Sequence, residues 1–353
     1  MSEISHITQA VKGAARAAGF ELVGIAPVGE FGELRRFEDW IADGRAGEMK
    51  YLEARDDAGG LKRASLQKTF PWARSVVVCV INYNAAEPYS TTVDTPDHGW
   101  IARYAWGHED YHDAVMRRLR EVEKQIRLAA PSEELITRCF VDTGPVVERV
   151  YAKYAGVGWI GKNTCIINQK IGSWLFLGVI LTSLDLTPDA PAPDRCGTCT
   201  RCIDACPTDA LIAPYQLDSN LCIAYLTIEK RGAIPENMRD GIGRHVFGCD
   251  ICQDVCPWNR KAPATNAKEF QPREGLVNPA LAWLAEMTEE EFRQKFRGSA
   301  VRRTKRSGLH RNAVIAMGNS GQRKFTPQLE KLAGDEDAAV AESARWALAK
   351  LMA

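Results

Sequence analysis

Eleven cysteines lie in this chain of 353 residues, and eight of them fall between Cys196 and Cys256. The first run reads Cys196-x-x-Cys199-x-x-Cys202-x-x-x-Cys206-Pro207. The second reads Cys249-x-x-Cys252-x-x-x-Cys256-Pro257, and Cys222 stands alone between them. Two-residue gaps curl successive thiolates around one face of an iron–sulfur cube. A Cys beyond a three-residue gap is carried away and points elsewhere. The spacing therefore predicts two [4Fe–4S] clusters with crossed ligation. Cys196, Cys199, Cys202 and Cys256 hold the first; Cys206, Cys222, Cys249 and Cys252 hold the second. Paired CxxC motifs also bind structural zinc, but two interlocked runs that each end in Cys-Pro follow the iron–sulfur pattern.

Such a cluster domain needs only a fraction of the chain, so further domains must position it. Composition is that of an ordinary soluble protein, 45% hydrophobic and 25% charged, with formal net charge zero. The molecule as a whole is no polyelectrolyte. An odd cysteine total with cluster-type spacing points to a reducing compartment rather than a disulfide framework. The N-terminus lacks the basic start and apolar run of a signal peptide, and no segment approaches the ~20 apolar residues that span a bilayer. A cytoplasmic protein without membrane contact is expected.

Before the cluster region, helical and strand patterns alternate. Residues 4–19 read as an amphipathic helix and 21–27 as a short strand. Helical pattern covers 30–54 with breaks at Gly44 and Gly47, and Ala64-Ser65-Leu66 reads as a helix start. Ser75 to Asn82 is an apolar, β-branched run of the kind buried on both faces, with Cys79 as a core thiol. A long amphipathic helix follows from His108 to Leu128. It carries Asp110-Tyr-His112, the start of the cobalamin motif Asp-x-His-x-x-Gly, but Val115 stands where that motif needs Gly. The segment is read as a polar helix N-terminus. Ile136 to Val141 is a strand that delivers Asp142-Thr-Gly144 to its C-terminal end, where α/β proteins place chemistry. Val146 to Tyr154 reads as helix. Gly156-Val-Gly158-Trp-Ile-Gly161 matches G-x-G-x-x-G, but a helix precedes it, so a nicotinamide site is not read there. The glycines suggest a tight, exposed turn open to a flat ligand. Trp174 to Leu181 is another apolar strand, and the proline-rich stretch Thr187–Asp194 is a linker.

After Pro257 the character changes. Residues 279–297 read as one helix. From Phe292 to Leu329 there is no Asp or Glu and there are ten Lys or Arg, a local positive field suited to phosphate contact. Arg311 and Arg345 each open an Arg-x-Ala-apolar core, which suggests one or two HEAT-type helical repeats docked on the main body.

Taken together, Val141-Asp-Thr-Gly144 with Glu148-Arg149, Gly156 to Asn163, the double cysteine region, Cys222 to Lys230 and Gly248 to Pro257 resemble the epoxyqueuosine reductase family over nearly the whole chain. The resemblance implies an enzyme that removes the epoxide oxygen of epoxyqueuosine at the wobble position of tRNA, with cobalamin beside two [4Fe–4S] clusters. It implies an α+β protein in three parts. These are an α/β cobalamin-binding catalytic domain (1–186), a bacterial-ferredoxin-type domain (187–265) and a HEAT-like helical tRNA-binding domain (266–353). Asp142 maps onto the family's proton donor, kept protonated by apolar surroundings, and also onto a cobalamin contact. Arg63 maps onto another such contact, and Ala102, Ile166 and Leu177 align with positions lining the corrin. Lys230, Arg231, Arg302, Arg303, Lys305 and Arg306 are assigned to the tRNA anticodon stem-loop. Electrons are expected from a flavodoxin- or ferredoxin-type donor, and the chain is expected to be a monomer. A cobalamin-dependent reductive dehalogenase acting on a small molecule, or a non-catalytic ferredoxin-type electron carrier, are the alternative readings. The visible spectrum of the anaerobic protein separates the carrier from the other two.

Overall fold

The computed structural model describes residues 3–353. In chain order its first elements are α1 (Glu3–Ala17), β1 (Leu22–Pro27), α2 (Gly32–Ala42), α3 (Leu66–Thr69), β2 (Ser75–Asn82), β3 (Trp100–Ile101), α4 (Tyr111–Ala129), β4 (Thr137–Phe140), α5 (Glu148–Tyr154), β5 (Trp159–Ile160), β6 (Ile166–Ile167) and β7 (Leu175–Thr182). There follow α6 (Arg201–Asp204), α7 (Ile223–Ile228), α8 (Glu236–Ile242), β8 (His245–Phe247), α9 (Ile251–Asp254), α10 (Leu281–Glu286), α11 (Glu289–Lys295), α12 (Lys305–Asn319), α13 (Thr326–Leu332) and α14 (Ala338–Met352). Among the described residues no helix is long and apolar enough to cross a membrane.

Two compact units form, each from three stretches of chain. One takes Met1–Asn84, Tyr111–Cys199 and Pro257–Thr265; the other takes Ala85–Asp110, Thr200–Cys256 and Asn266–Ala353. These units are interleaved in sequence, unlike the three consecutive blocks of the sequence reading. Buried polar ties across long loops draw the stretches together. In the second unit Asp250 accepts from the Trp100 indole and the Arg103 N–H, and the Arg103 guanidinium donates to the carbonyls of Ala85, Glu87 and Pro88.

The first unit is built on a sheet in the order β1-β2-β7-β4. Every pairing in it is antiparallel. The α/β part of the sequence reading, which left strand direction open, is thus built on an antiparallel sheet. All eight residues of β2 are buried, because α4 covers one face while α5 and the β5–β6 hairpin pack on the other. A continuous apolar run reports burial on both faces and says nothing of strand direction. Gly178 lets α4 approach, since a Cβ there would lie 2.8 Å from Val115 and 2.9 Å from Leu119. Cys79 is fully buried, as expected of a core thiol.

In the second unit α12 is the hub, buried from Leu309 to Gly318 and packed by α7, α10 and α14. The single helix expected over 279–297 is two helices, α10 and α11. Thr288 begins the second with a capping box, its hydroxyl accepting from the Glu291 N–H while the Glu291 carboxylate accepts from the Thr288 N–H. That reciprocal cap satisfies the new helix start and stabilises the break.

Candidate functional site

Asp142 stands just past the end of β4 with φ +53°, in the left-handed region that non-glycine residues seldom occupy. Two helices converge on it. The Tyr111 hydroxyl, at the start of α4, donates to Asp142 Oδ2 at 2.7 Å. His112 Nε2 lies 4.0 Å from the same oxygen. From the start of α5, Glu148 Oε1 accepts the Asp142 backbone N–H at 3.0 Å. Tyr111 is held rigid by stacking on Phe176 of β7, with ring centroids 4.5 Å apart and planes 3° from parallel.

Burial falls on a different carboxyl from the one expected. The Asp142 side chain is 63% exposed, so it has no apolar jacket. Glu148 is the half-buried acid: desolvation, and then the charge of Asp142, push it up to about 7, against the opposing pull of backbone N–H donors, that of Asp142 among them, and of Arg63. Two neighbouring carboxyls have divided the roles, one held near neutral pH and one presented to solvent. Tyr111, His112 and Glu148 were not singled out from sequence as site residues. Glu148 stands among the residues that carry the family resemblance and Asp110-Tyr-His112 reads as a helix terminus, but only the fold brings them to Asp142.

Arg63 belongs to this neighbourhood through its field on Glu148, and its guanidinium also reaches the Tyr51 carbonyl at 3.4 Å. Ile166 and Leu177 share one apolar cluster with Phe140, two residues before Asp142. Ile166 is buried there, while Leu177, Leu175 and Ile160 are only partly covered. That apolar cluster is therefore incompletely covered at Leu177, Leu175 and Ile160. Ala102 lies in the other unit, buried against Gly248. The glycine turn is not open to a flat ligand. A Cβ on Gly158 would meet Ile167 O at 2.6 Å, and one on Gly161 would meet Ile167 Cδ1 at 2.5 Å. Strand β6 itself makes the close approach, closing a tight hairpin with β5.

Among the cysteines, Cys206, Cys222 and Cys249 lie in the second unit, and the first two are within electrostatic reach of Cys249. Burial pushes the Cys249 thiol well up, and the Ile251 N–H points to its sulfur. Cys252 is on α9, which packs on α6. Clustered thiols with backbone N–H donors suit an iron–sulfur cube, whose iron holds each sulfur as thiolate. Among the described residues no three His, Cys, Asp or Glu gather closely enough to hold one metal ion. A cube does not ask for that, since each of its thiolates binds a different iron. Cys202 and Cys256 lie in the second unit, and Cys196 and Cys199 in the first. There Lys162, in the β5–β6 turn, donates to the carbonyls of Gly197 and Cys199 at 2.7 and 3.0 Å.

The acid-free basic section divides into two kinds of residue. Arg311 is 2% exposed. It directs its donors to the carbonyls of Leu226, Lys230 and Gly232, so it belongs to the core and not to the positive field. Arg293 and Arg306 reach Glu289, and Lys324 reaches Asp97, acids that lie outside the basic stretch in sequence. Arg231 donates to the carbonyls of Ile228 and Arg303. Arg302 and Lys305 are exposed and form no ion pair among the described residues.

Known proteins match this chain over nearly its whole length. The family model described as "Epoxyqueuosine reductase QueG, DUF1730" matches residues 63–143. The model of a 4Fe-4S double cluster binding domain matches residues 195–259. A Synechocystis epoxyqueuosine reductase is 44% identical over 82% of this chain and 98% of its own length. Among solved structures, an epoxyqueuosine reductase with an epoxyqueuosine-modified tRNA-Tyr stem loop superposes with a TM-score of 0.87 at 29% identity, covering 98% of this chain and 90% of that one. A Bacillus subtilis epoxyqueuosine reductase, solved with the loop of its catalytic aspartate swung out of the active site, gives 0.86 at 28% identity, with 98% and 90% covered.

Proposed function

Since this chain belongs to the epoxyqueuosine reductase family, an oxidoreductase family of tRNA modification, we propose that Asp142 is the acid that delivers a proton to the departing epoxide oxygen. Reducing the epoxide to the alkene and releasing its oxygen as water consumes two electrons and two protons. The two [4Fe–4S] clusters would deliver electrons singly, and cobalamin, when bound, would supply the low-potential two-electron chemistry at the epoxide carbon.

The chain's own residues do the rest. Tyr111 occupies Asp142 Oδ2, which leaves Oδ1 to carry the proton toward substrate. Exposure of the Asp142 side chain lets it reach a ring presented from outside and reload from water. Arg63, Leu177 and the backbone near Ile166 would hold the corrin, and Ala102 is proposed as a further contact. Crossed ligation is proposed from the spacing, with Cys206, Cys222, Cys249 and Cys252 on one cluster and Cys196, Cys199, Cys202 and Cys256 on the other. Arg302 and Lys305 would meet tRNA phosphates, with Lys230, Arg231, Arg303 and Arg306 supporting them. The helices from α12 to α14 would act as HEAT-like repeats. A single modified base presented from the anticodon loop is the expected mode of recognition. A flavodoxin- or ferredoxin-type donor, a monomeric state and a cytoplasmic setting complete the reading.

The observation that carries this function is an exposed aspartate held in left-handed backbone geometry beside a tyrosine hydroxyl. Asp142→Asn keeps size but cannot deliver a proton. General acid catalysis is worth ~10²–10⁴-fold, and single turnover of chemically reduced enzyme should slow by about that factor with corrin and cluster spectra intact. A near-normal rate would remove Asp142 from the chemistry.

A further inference from the structure

Asp142 carries a conformational penalty at φ +53°. Such backbone states persist only where neighbours enforce them. Aspartate tolerates the region better than most residues, but tolerance does not select it. Residues 142 and 143 are exposed, so burial does not hold this turn either.

One enforcing contact is directed at the strained unit itself. The Asp142 N–H donates to Glu148 Oε1 at 3.0 Å. Glu148 opens α5, and that helix is anchored by the buried Val150, Tyr151 and Ala152. The acceptor is therefore fixed while the donor sits on an exposed turn. Tyr111 holds only the side-chain carboxyl, a contact that a rotated side chain breaks without moving the backbone.

We propose that Glu148 is a positioning residue, a latch whose carboxylate holds the Asp142 backbone in the left-handed state and so fixes how often the Asp142 side chain faces the substrate. Its relevance to turnover rests on the reading of Asp142 as proton donor. The Bacillus subtilis enzyme captured with its catalytic aspartate loop swung out shows that such a loop has a second position in that relative. The latch supplies the force that opposes that excursion here.

The groups around the latch agree with this role. Asp142 and Arg63 bear on Glu148 with opposite signs, and desolvation adds to the effect of Asp142. The carboxyl is thus poised between a stronger and a weaker hydrogen-bond acceptor, and a charged acceptor binds an N–H about twice as strongly as a neutral one.

The test uses the holoenzyme, loaded with both clusters and cobalamin. Glu148→Ala removes the acceptor, and Glu148→Gln keeps an oxygen in its place. Hydrogen exchange with fragmentation reads the Asp142 amide directly. In Glu148→Ala that amide should exchange at least about tenfold faster, the loss expected for a bond to a charged acceptor. Glu148→Gln should stay within about threefold of the parent chain. Turnover of Glu148→Ala should fall, and turnover of Glu148→Gln should be largely kept. Iron content, corrin absorbance and circular dichroism should hold in both variants. An unchanged Asp142 amide in Glu148→Ala overturns the latch, as does equal loosening by Ala and Gln. If Glu148→Ala misfolds, Glu148→Gln still decides: loosening by tenfold there also overturns it. Faster exchange together with full activity in Asp142→Asn would sustain the latch while rejecting the proton-donor reading.

Discussion

Arg311→Met separates a structural arginine from a nucleic-acid contact. The side chain is 2% exposed and lies in the middle of an otherwise basic stretch. Its guanidinium donates to Lys230 O at 2.9 Å, Gly232 O at 2.6 Å and Leu226 O at 2.9 Å. It also meets Asn312 Oδ1, whose own amide donates to the carbonyls of Thr227 and Val246. The carbonyls that Arg311 holds lie in and just beyond α7, the helix that starts at once after Cys222. Three charge-assisted bonds at ~1.5–3 kcal/mol each amount to about 4–9 kcal/mol gross. Methionine avoids burying a cation, which offsets several kcal/mol, and it fills most of the volume. A net loss of about 3 kcal/mol remains. At ~2–4 °C per kcal/mol for a unit of this size, the anaerobic melting transition should fall by about 6–12 °C. Arg311→Lys, which cannot fork across three carbonyls, should lose much of the same stability. A melting shift under about 2 °C combined with weakened tRNA binding would refute the argument and return Arg311 to the interface.

Cys222→Ala should leave about four of about eight irons per chain, because one cube loses a ligand and the other does not; full iron content would rule out Cys222 as a ligand. Reversing Arg302 and Lys305 to Glu should weaken tRNA binding and reduce the slope of log affinity against log salt by about one for each phosphate no longer neutralised. Cofactor content should not change, and unaltered affinity would clear these two residues of the role. Glu148 gives a pH signature with a definite sign. Its proton affinity rises from the ordinary 4.5 to about 7 on folding, so between those values the folded chain binds more protons than the unfolded one. Stability contributed there is present at low pH and lost as pH rises through the window. Denaturant melts should therefore find Glu148→Gln more stable than the parent chain at pH 8 and not at pH 4; equal gains at both would contradict that environment.

Much of this protein was legible before folding. Cysteine spacing is a local property, and the double [4Fe–4S] domain was readable from it. The strands at 75–82 and 175–182 announced themselves as apolar runs, since two-sided burial leaves no polar positions. The Asp142 turn was visible as the exit of a strand. Other features depended on partners distant in sequence. Strand direction was hidden, because antiparallel strands covered on both faces carry the same pattern as parallel ones. The split of 279–297 into two helices turned on one Thr–Glu cap inside a helical pattern. Arg311 and Arg302 look alike in sequence, and only packing sends one guanidinium to buried carbonyls and the other to solvent. Which acid would be buried could not be read from the chain either. Asp142 and Glu148 are both carboxylates, and the fold alone decided which would lose water and which would keep it. Desolvation and charge proximity are properties of three-dimensional neighbours, and those neighbours come from α4, β4, α5 and the Arg63 loop at once.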